Sequence, residues 1–185
     1  MAEKKELRKH KGRYSYLNDF KLNDNNEYEY MGNVYQLDLS GSEKKTALSR
    51  LRNFCIALFA VVILGGFLPF EAMRGAFYVI LPFFFEVVFT IWLATCVYTV
   101  LRNETLREYQ HKKSFERIKP FSGTVMVNAA IGLFASVLYL TINGTGNLFT
   151  VILYLLCKIG AFFLGKQTAS SADLLSYRKI QEKKE

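Results

Sequence analysis

Histidine is nearly absent from this chain of 185 residues: there are only two, His10 and His111, and both fall outside the apolar stretches. A single copy therefore cannot pair histidines across a haem or assemble an HExxH zinc site inside a membrane. Cysteine is scarce as well. The three present, Cys55, Cys96 and Cys157, show no CxxC spacing and all lie within apolar stretches, which argues against a disulfide framework or a zinc site and for small buried hydrophobes. Neither GxSxG nor GxxxxGK[ST] occurs, and Ser49, Ser114 and Ser122 have no evident His/Asp partners. The sequence thus points to a non-enzymatic protein with no cofactor and no metal. A removable signal is missing too, since no small-residue cleavage pattern lies near the N-terminus and the first apolar stretch opens only at Asn53; the first helix reads as a retained anchor.

Charge is absent over long runs. Residues 1–52 carry eleven Lys/Arg and eight Asp/Glu, whereas residues 53–70 carry none. The mean hydropathy of +0.11 averages a polar tail with a strongly apolar body, so only windows are informative. Crossing about 30 Å of hydrocarbon takes roughly twenty apolar residues. Stretches at 53–70, 75–101, 121–142 and 148–164 approach or meet that length, with Glu86 and Lys158 as the only charges inside them. The expected fold class is an all-α integral membrane protein, a four-transmembrane-helix bundle.

Lys and Arg decide its orientation. Lys44, Lys45, Arg50 and Arg52 precede the first span; Arg102, Arg107, Lys112, Lys113, Arg117 and Lys119 separate the second and third; Lys166, Arg178, Lys179, Lys183 and Lys184 follow the fourth. The other two links offer only Arg74. Loops rich in Lys/Arg stay cytosolic, so both termini are placed in the cytosol of a multi-pass cell-membrane protein. The net charge of +8 then has a topological cause. Its residues flank helices and interleave with Glu, which speaks against nucleic acid and for anionic lipid headgroups as their partner.

Three segments follow from this division: an N-terminal one at 1–42, a transmembrane domain at 43–165, and a C-terminal one at 166–185. Within the first, residues 1–13 form a basic arm, and residues 27–39 read EYEYMGNVYQLDL, two roughly alternating runs around Gly32-Asn33. That dipeptide suits a tight turn, so a small cytosolic β-hairpin is predicted, bearing Tyr28, Tyr30, Val34 and Tyr35. A lone hairpin is marginal in water and needs something to dock on. Residues 102–120 contain no Gly and carry Glu104/Arg107 and Glu108/Lys112 at helical spacing, predicting that the second span continues as a helix. Pro120 and Ser122 mark the start of the third span, and Ser170 with Asp173 would cap a short C-terminal helix carrying Leu174, Leu175 and Ile180.

Ionisable residues inside a span are costly and are functional candidates by default. Glu86 and Lys158 each sit about ten residues from the same end of parallel-running spans, roughly 15 Å deep, so they share a depth and meet if their helices are neighbours. Around Glu86, Pro82, Thr90 and Ala94 continue one row at four-residue spacing. The third span adds Thr124, Asn128, Gly132 and Ser136, a small and polar stripe suited to close packing. Phe83, Phe84, Phe85 and Trp92 are assigned to the opposite face, which lipid or a partner helix would see. The candidate intramembrane polar cluster is accordingly Glu86, Lys158, Asn128, Thr90 and Ser136. Read structurally it is a buried ion pair that fixes helix register; read functionally it lines a route for a proton, ion or solute. A four-span layout carries no function by itself. Two functions fit: an accessory or interaction subunit of a membrane complex, with a membrane-protein partner or a second copy, or a subunit of a small oligomeric transporter or channel.

Overall fold

The computed structural model describes residues 19–22, 28–144 and 146–180. The basic arm expected at 1–13 lies outside them. Four helices are long and apolar enough to cross a membrane: α1 (Gly41–Phe67), α3 (Phe77–Arg102), α5 (Glu116–Asn143) and α6 (Leu148–Asp173). Local chemistry sets their limits. α1 stops where Pro69 forces Leu68 into an extended conformation (φ −70°, ψ 132°), as a residue before proline prefers. α6 starts at Asn147, whose Oδ1 accepts from the Phe149 and Thr150 amides at 3.1 and 3.3 Å and so satisfies two of the orphan donors of the first turn. The short helix α2 (Ala72–Gly75) bridges α1 and α3.

The helices close a ring in which α1 packs on α3, α3 on α5, α5 on α6 and α6 on α1. α3 and α6 therefore face each other across its centre. Unlike a water-soluble bundle, this one is apolar outside as well as inside, where Leu51, Leu58, Leu93 and Val125 are fully buried. Phe67, Phe134 and Phe149 are 83%, 72% and 75% exposed, while Glu86, Thr90, Ser136, Lys158 and Thr168 are buried. Such an outer surface is suited to hydrocarbon, because a soluble monomer rarely exposes apolar patches of that extent.

Both chain ends of the bundle core and the α3–α5 connection lie at one end of the ring, and there the chain departs from the sequence-based expectation. The predicted hairpin does not form. Tyr28–Tyr30 (β2) pairs with Phe20–Leu22 (β1). Val34–Leu37 (β3) instead becomes the central strand of a three-stranded antiparallel sheet, between β4 (Thr105–Arg107) and β5 (Tyr177–Ile180). Positive φ occurs at Gly41 and Gly144 but not at Gly32, so the Gly32-Asn33 dipeptide lacks the conformation a tight two-residue hairpin needs. Two longer-range pairings outcompete the local one, since they bury Leu37 and Leu106.

The predicted helical extension at 102–120 is likewise interrupted. α3 ends at Arg102, β4 intervenes, and the helix resumes through α4 (Glu108–Gln110), a π-helical turn at His111–Phe115 and α5. The helix also runs through Pro120 rather than starting there. At the other terminus, α6 continues past Gly165 to Asp173, and residues 177–180 are strand instead of a separate capped helix.

Side chains bind this sheet to the helices. The His111 ring stacks on Tyr35 with centroids 4.2 Å apart, Phe115 lies 4.6 Å from Tyr177, and the Glu108 carboxylate accepts from Asn33 at 2.6 Å. Burial pushes the Tyr177 phenol up to about 12. Lys44 reaches Glu104 at 3.2 Å, and Lys119 pairs with Asp173.

Candidate functional site

Glu86 projects one turn after Pro82 in α3, and Lys158 about three turns into α6. The lysine ammonium donates to a Glu86 carboxylate oxygen. The two residues are 1% and 2% exposed. The sequence anticipated the meeting but not its geometry: the helices are diagonal rather than adjacent, and the pair spans the bundle axis. A long, flexible lysine stem makes that reach possible, and it passes alongside Gly132 of α5, where even a methyl group would meet it at ordinary contact distance. A Cβ built at Gly132 would stand 3.4 Å from Lys158 Cε and 3.6 Å from its Nζ.

Two aromatic rings complete the enclosure. The ammonium lies 4.6 Å from the Phe83 centroid and 5.2 Å from that of Tyr154, distances at which ring quadrupoles attract a cation. Phe83 is thus turned toward the pair, which corrects its assignment to the face away from the charges, although its ring also lies against Gly66 of the neighbouring α1; Phe84, Phe85 and Trp92 are exposed. Neither ring was in the expected cluster. Their spacing held the signal, since Phe83 precedes Glu86 by three residues and Tyr154 precedes Lys158 by four, each on the same helix face as its charge.

The remaining candidates divide. Thr90 donates its hydroxyl to the Glu86 carbonyl at 2.7 Å, and Ser136 donates to the Gly132 carbonyl at 2.7 Å. Both are buried beside the pair but are satisfied by their own helices, as hydroxyls in apolar surroundings commonly are. Asn128 donates to the Thr124 carbonyl at 2.8 Å and is half-buried, so its amide is not brought to the ion pair. The Tyr154 hydroxyl points to the Met73 sulfur of α2, 3.5 Å away.

Comparison of the chain with protein-family models, with curated proteins and with solved structures finds no match.

The arrangement is chemically self-contained. A carboxylate and an ammonium neutralise each other in a site lined by rings, a glycine and back-bonded hydroxyls. Among the described residues there is no group of three or more His, Cys, Asp or Glu that could hold a metal. The three cysteines are free and buried or half-buried.

Proposed function

We propose that this protein is a non-enzymatic, multi-pass subunit that works by association within a membrane complex, with both termini in the cytosol. The observation that carries this reading is the Glu86–Lys158 pair, closed off at 1% and 2% exposure across the bundle axis. Sealed in this way, the charges act as a strut that fixes helix register. The outer faces and the sheet end are then left to do the work.

At the sheet end, one edge is covered and one is open. β4 is capped on its outer side, where the Arg107 amide donates to the Gln110 side chain at 3.3 Å, and the Arg107 guanidinium lies over the Phe20 and Tyr30 rings of the β1–β2 ribbon. Along β5 no further strand is present among the described residues. The Asp38 amide bonds to the Ser176 carbonyl at 2.8 Å; by alternation of the antiparallel ladder, the Tyr177 and Lys179 amides point away from β3. An extended, acidic partner segment fits that edge by charge, next to Arg178 and Lys179. Lys179→Pro removes an outward amide without breaking a bond to β3. The tagged wild-type protein, solubilised gently from its native membrane, should elute as a larger stoichiometric assembly, and the Lys179→Pro variant as the bare chain. Elution of the wild type as a lone monomer would sink the association reading.

Orientation is tested separately. Lys and Arg gather at the sheet end, whereas the opposite links offer only Arg74, supporting the cytosolic assignment. A cysteine at Lys112 should react with an impermeant reagent only after the cell is opened, and one at Asn143 in intact cells. Asn143 is preferable to Gly144, whose φ of +79° disfavours a side chain. Labelling of both from the same side would overturn the topology.

The transport reading is favoured by one observation. Tyr154 extends the polar residues toward the end opposite the sheet, where a cavity of about 30 Å³ is lined by Phe70, Tyr139 and Thr150. Four helices enclose only a narrow passage, so that reading requires an oligomer.

A further inference from the structure

The first turns of α1 have two materials on a single face. Lys45, Ser49, Arg52 and Asn53 follow at intervals of four, three and one, which sets them within about 100° of one another around the helix, on the side away from buried Ala47, Leu51, Cys55 and Leu58. Lys45, Arg52 and Asn53 are exposed and Ser49 is half-buried. The Arg52 guanidinium is held over this face, its Nη2 donating to Ser49 Oγ at 3.5 Å and its Nε to Asn53 Oδ1 at 3.4 Å. Toward the bundle centre the same face turns apolar at once: Ile56, Leu64 and Phe67 are 60%, 60% and 83% exposed.

Charge is left over at this place. Lys44, on the neighbouring flank, is neutralised by Glu104, but Lys45, Arg50 and Arg52 have no carboxylate within ion-pair distance among the described residues. Lys45, Ser49 and Asn53 border an open groove of about 580 Å³ whose far wall is Arg50, with Arg52 standing just outside it. From Lys45 to Asn53 is about 12 Å of helix, enough to run through the roughly 5–7 Å of one headgroup layer and beyond it, with the apolar patch on the hydrocarbon side.

We infer that this face of α1 is a binding site for a single anionic phospholipid, its phosphate held by Lys45 and Arg52 with Ser49 and Asn53, and its acyl chain lying along Ile56, Leu64 and Phe67. A zwitterionic lipid presents the same phosphate beside a choline that the two cations repel, so the site discriminates by net headgroup charge. Ser49 and Asn53 hold the guanidinium in place, which lets it present its donor fork to phosphate oxygens without first being ordered.

The test uses the full chain, delipidated in mild detergent and titrated with phosphatidylglycerol or phosphatidylcholine of matched chains, with bound lipid counted by native mass spectrometry. The wild type should retain one phosphatidylglycerol in preference to phosphatidylcholine. Lys45→Gln/Arg52→Gln should lose that preference by at least about tenfold, each interfacial cation being worth about fivefold. Arg178→Gln/Lys179→Gln, which removes the same charge from the sheet, should keep it. Arg52→Gln alone serves if the double variant does not fold. Equal loss in the sheet variant would show a diffuse charge effect and overturn the site. Displacement of the lipid by inorganic phosphate would overturn it too, since the ligand would then be the free anion. Neither outcome bears on association through β5, which is read by elution of the assembly.

Discussion

Glu86→Gln and Lys158→Met, each made alone, should destabilise the detergent-solubilised protein by about 3 to 5 kcal/mol, while the double change recovers most of the loss. The reason is an asymmetry of cost. In the wild type each charge is compensated by the other inside a site that is almost closed to solvent. Taking away the carboxylate leaves an ammonium with only two ring faces and hydroxyls already engaged elsewhere; taking away the ammonium leaves a carboxylate with less. Replacing both leaves two neutral side chains of nearly the original volumes beside Gly132, and no uncompensated charge. By thermal unfolding in detergent, each single variant should melt roughly 10 °C lower than the wild type. Single variants as stable as the wild type would refute the strut. A double variant that is stable but inactive in the cell would instead assign the charges to transport, and the association reading would yield to the oligomeric-transporter one.

Deletion of residues 1–38 should leave the bundle inserted but dismantle the sheet. Lys44, Lys45, Arg50, Arg52 and the later basic residues remain to set orientation, so no span is expected to invert. β3, however, is the strand that both β4 and β5 pair with, and they have no bond to each other. Its loss exposes Leu106 and Leu175, which are buried, and removes Tyr35 from His111. Limited trypsinolysis should therefore accelerate at Arg107, Arg178 and Lys179 by about tenfold or more, as local opening ceases to be opposed by the ladder. Unchanged protection of those sites would mean that the sheet does not hold this end together.

The two experiments touch parts of the molecule that were unequally legible in its sequence. Long apolar windows and the placement of Lys and Arg depend on composition, which the bilayer reads residue by residue, so the four spans and their approximate limits followed directly. Glu86 and Lys158 could be matched by depth because helix rise is constant. Diagonal placement could not be inferred, because four helices of known length can be ordered around a ring in more than one way. The inward turn of Phe83 was hidden for a related reason: it stands in a run of three phenylalanines at 83–85, where composition does not tell a ring over a cation from a ring in lipid. At Gly32-Asn33 the sequence offers a local turn signal that takes no account of partners far along the chain. Short segments such as TLR at 105–107 and YRKI at 177–180 have little strand character until Val34–Leu37 lies between them.

That same sheet imposes an order on biosynthesis. β3 emerges before the first span, β4 after the second, and β5 only once α6 has been made, so the central strand must wait for residues 177–180 before its second edge is closed. Loop closure over such a separation is slow compared with helix formation. A chain interrupted within α6 would hold β3 against β4 alone, with the amides and carbonyls of its other edge unpaired. The latch formed by β5 therefore distinguishes a chain extended through residue 180 from one that stops short of it.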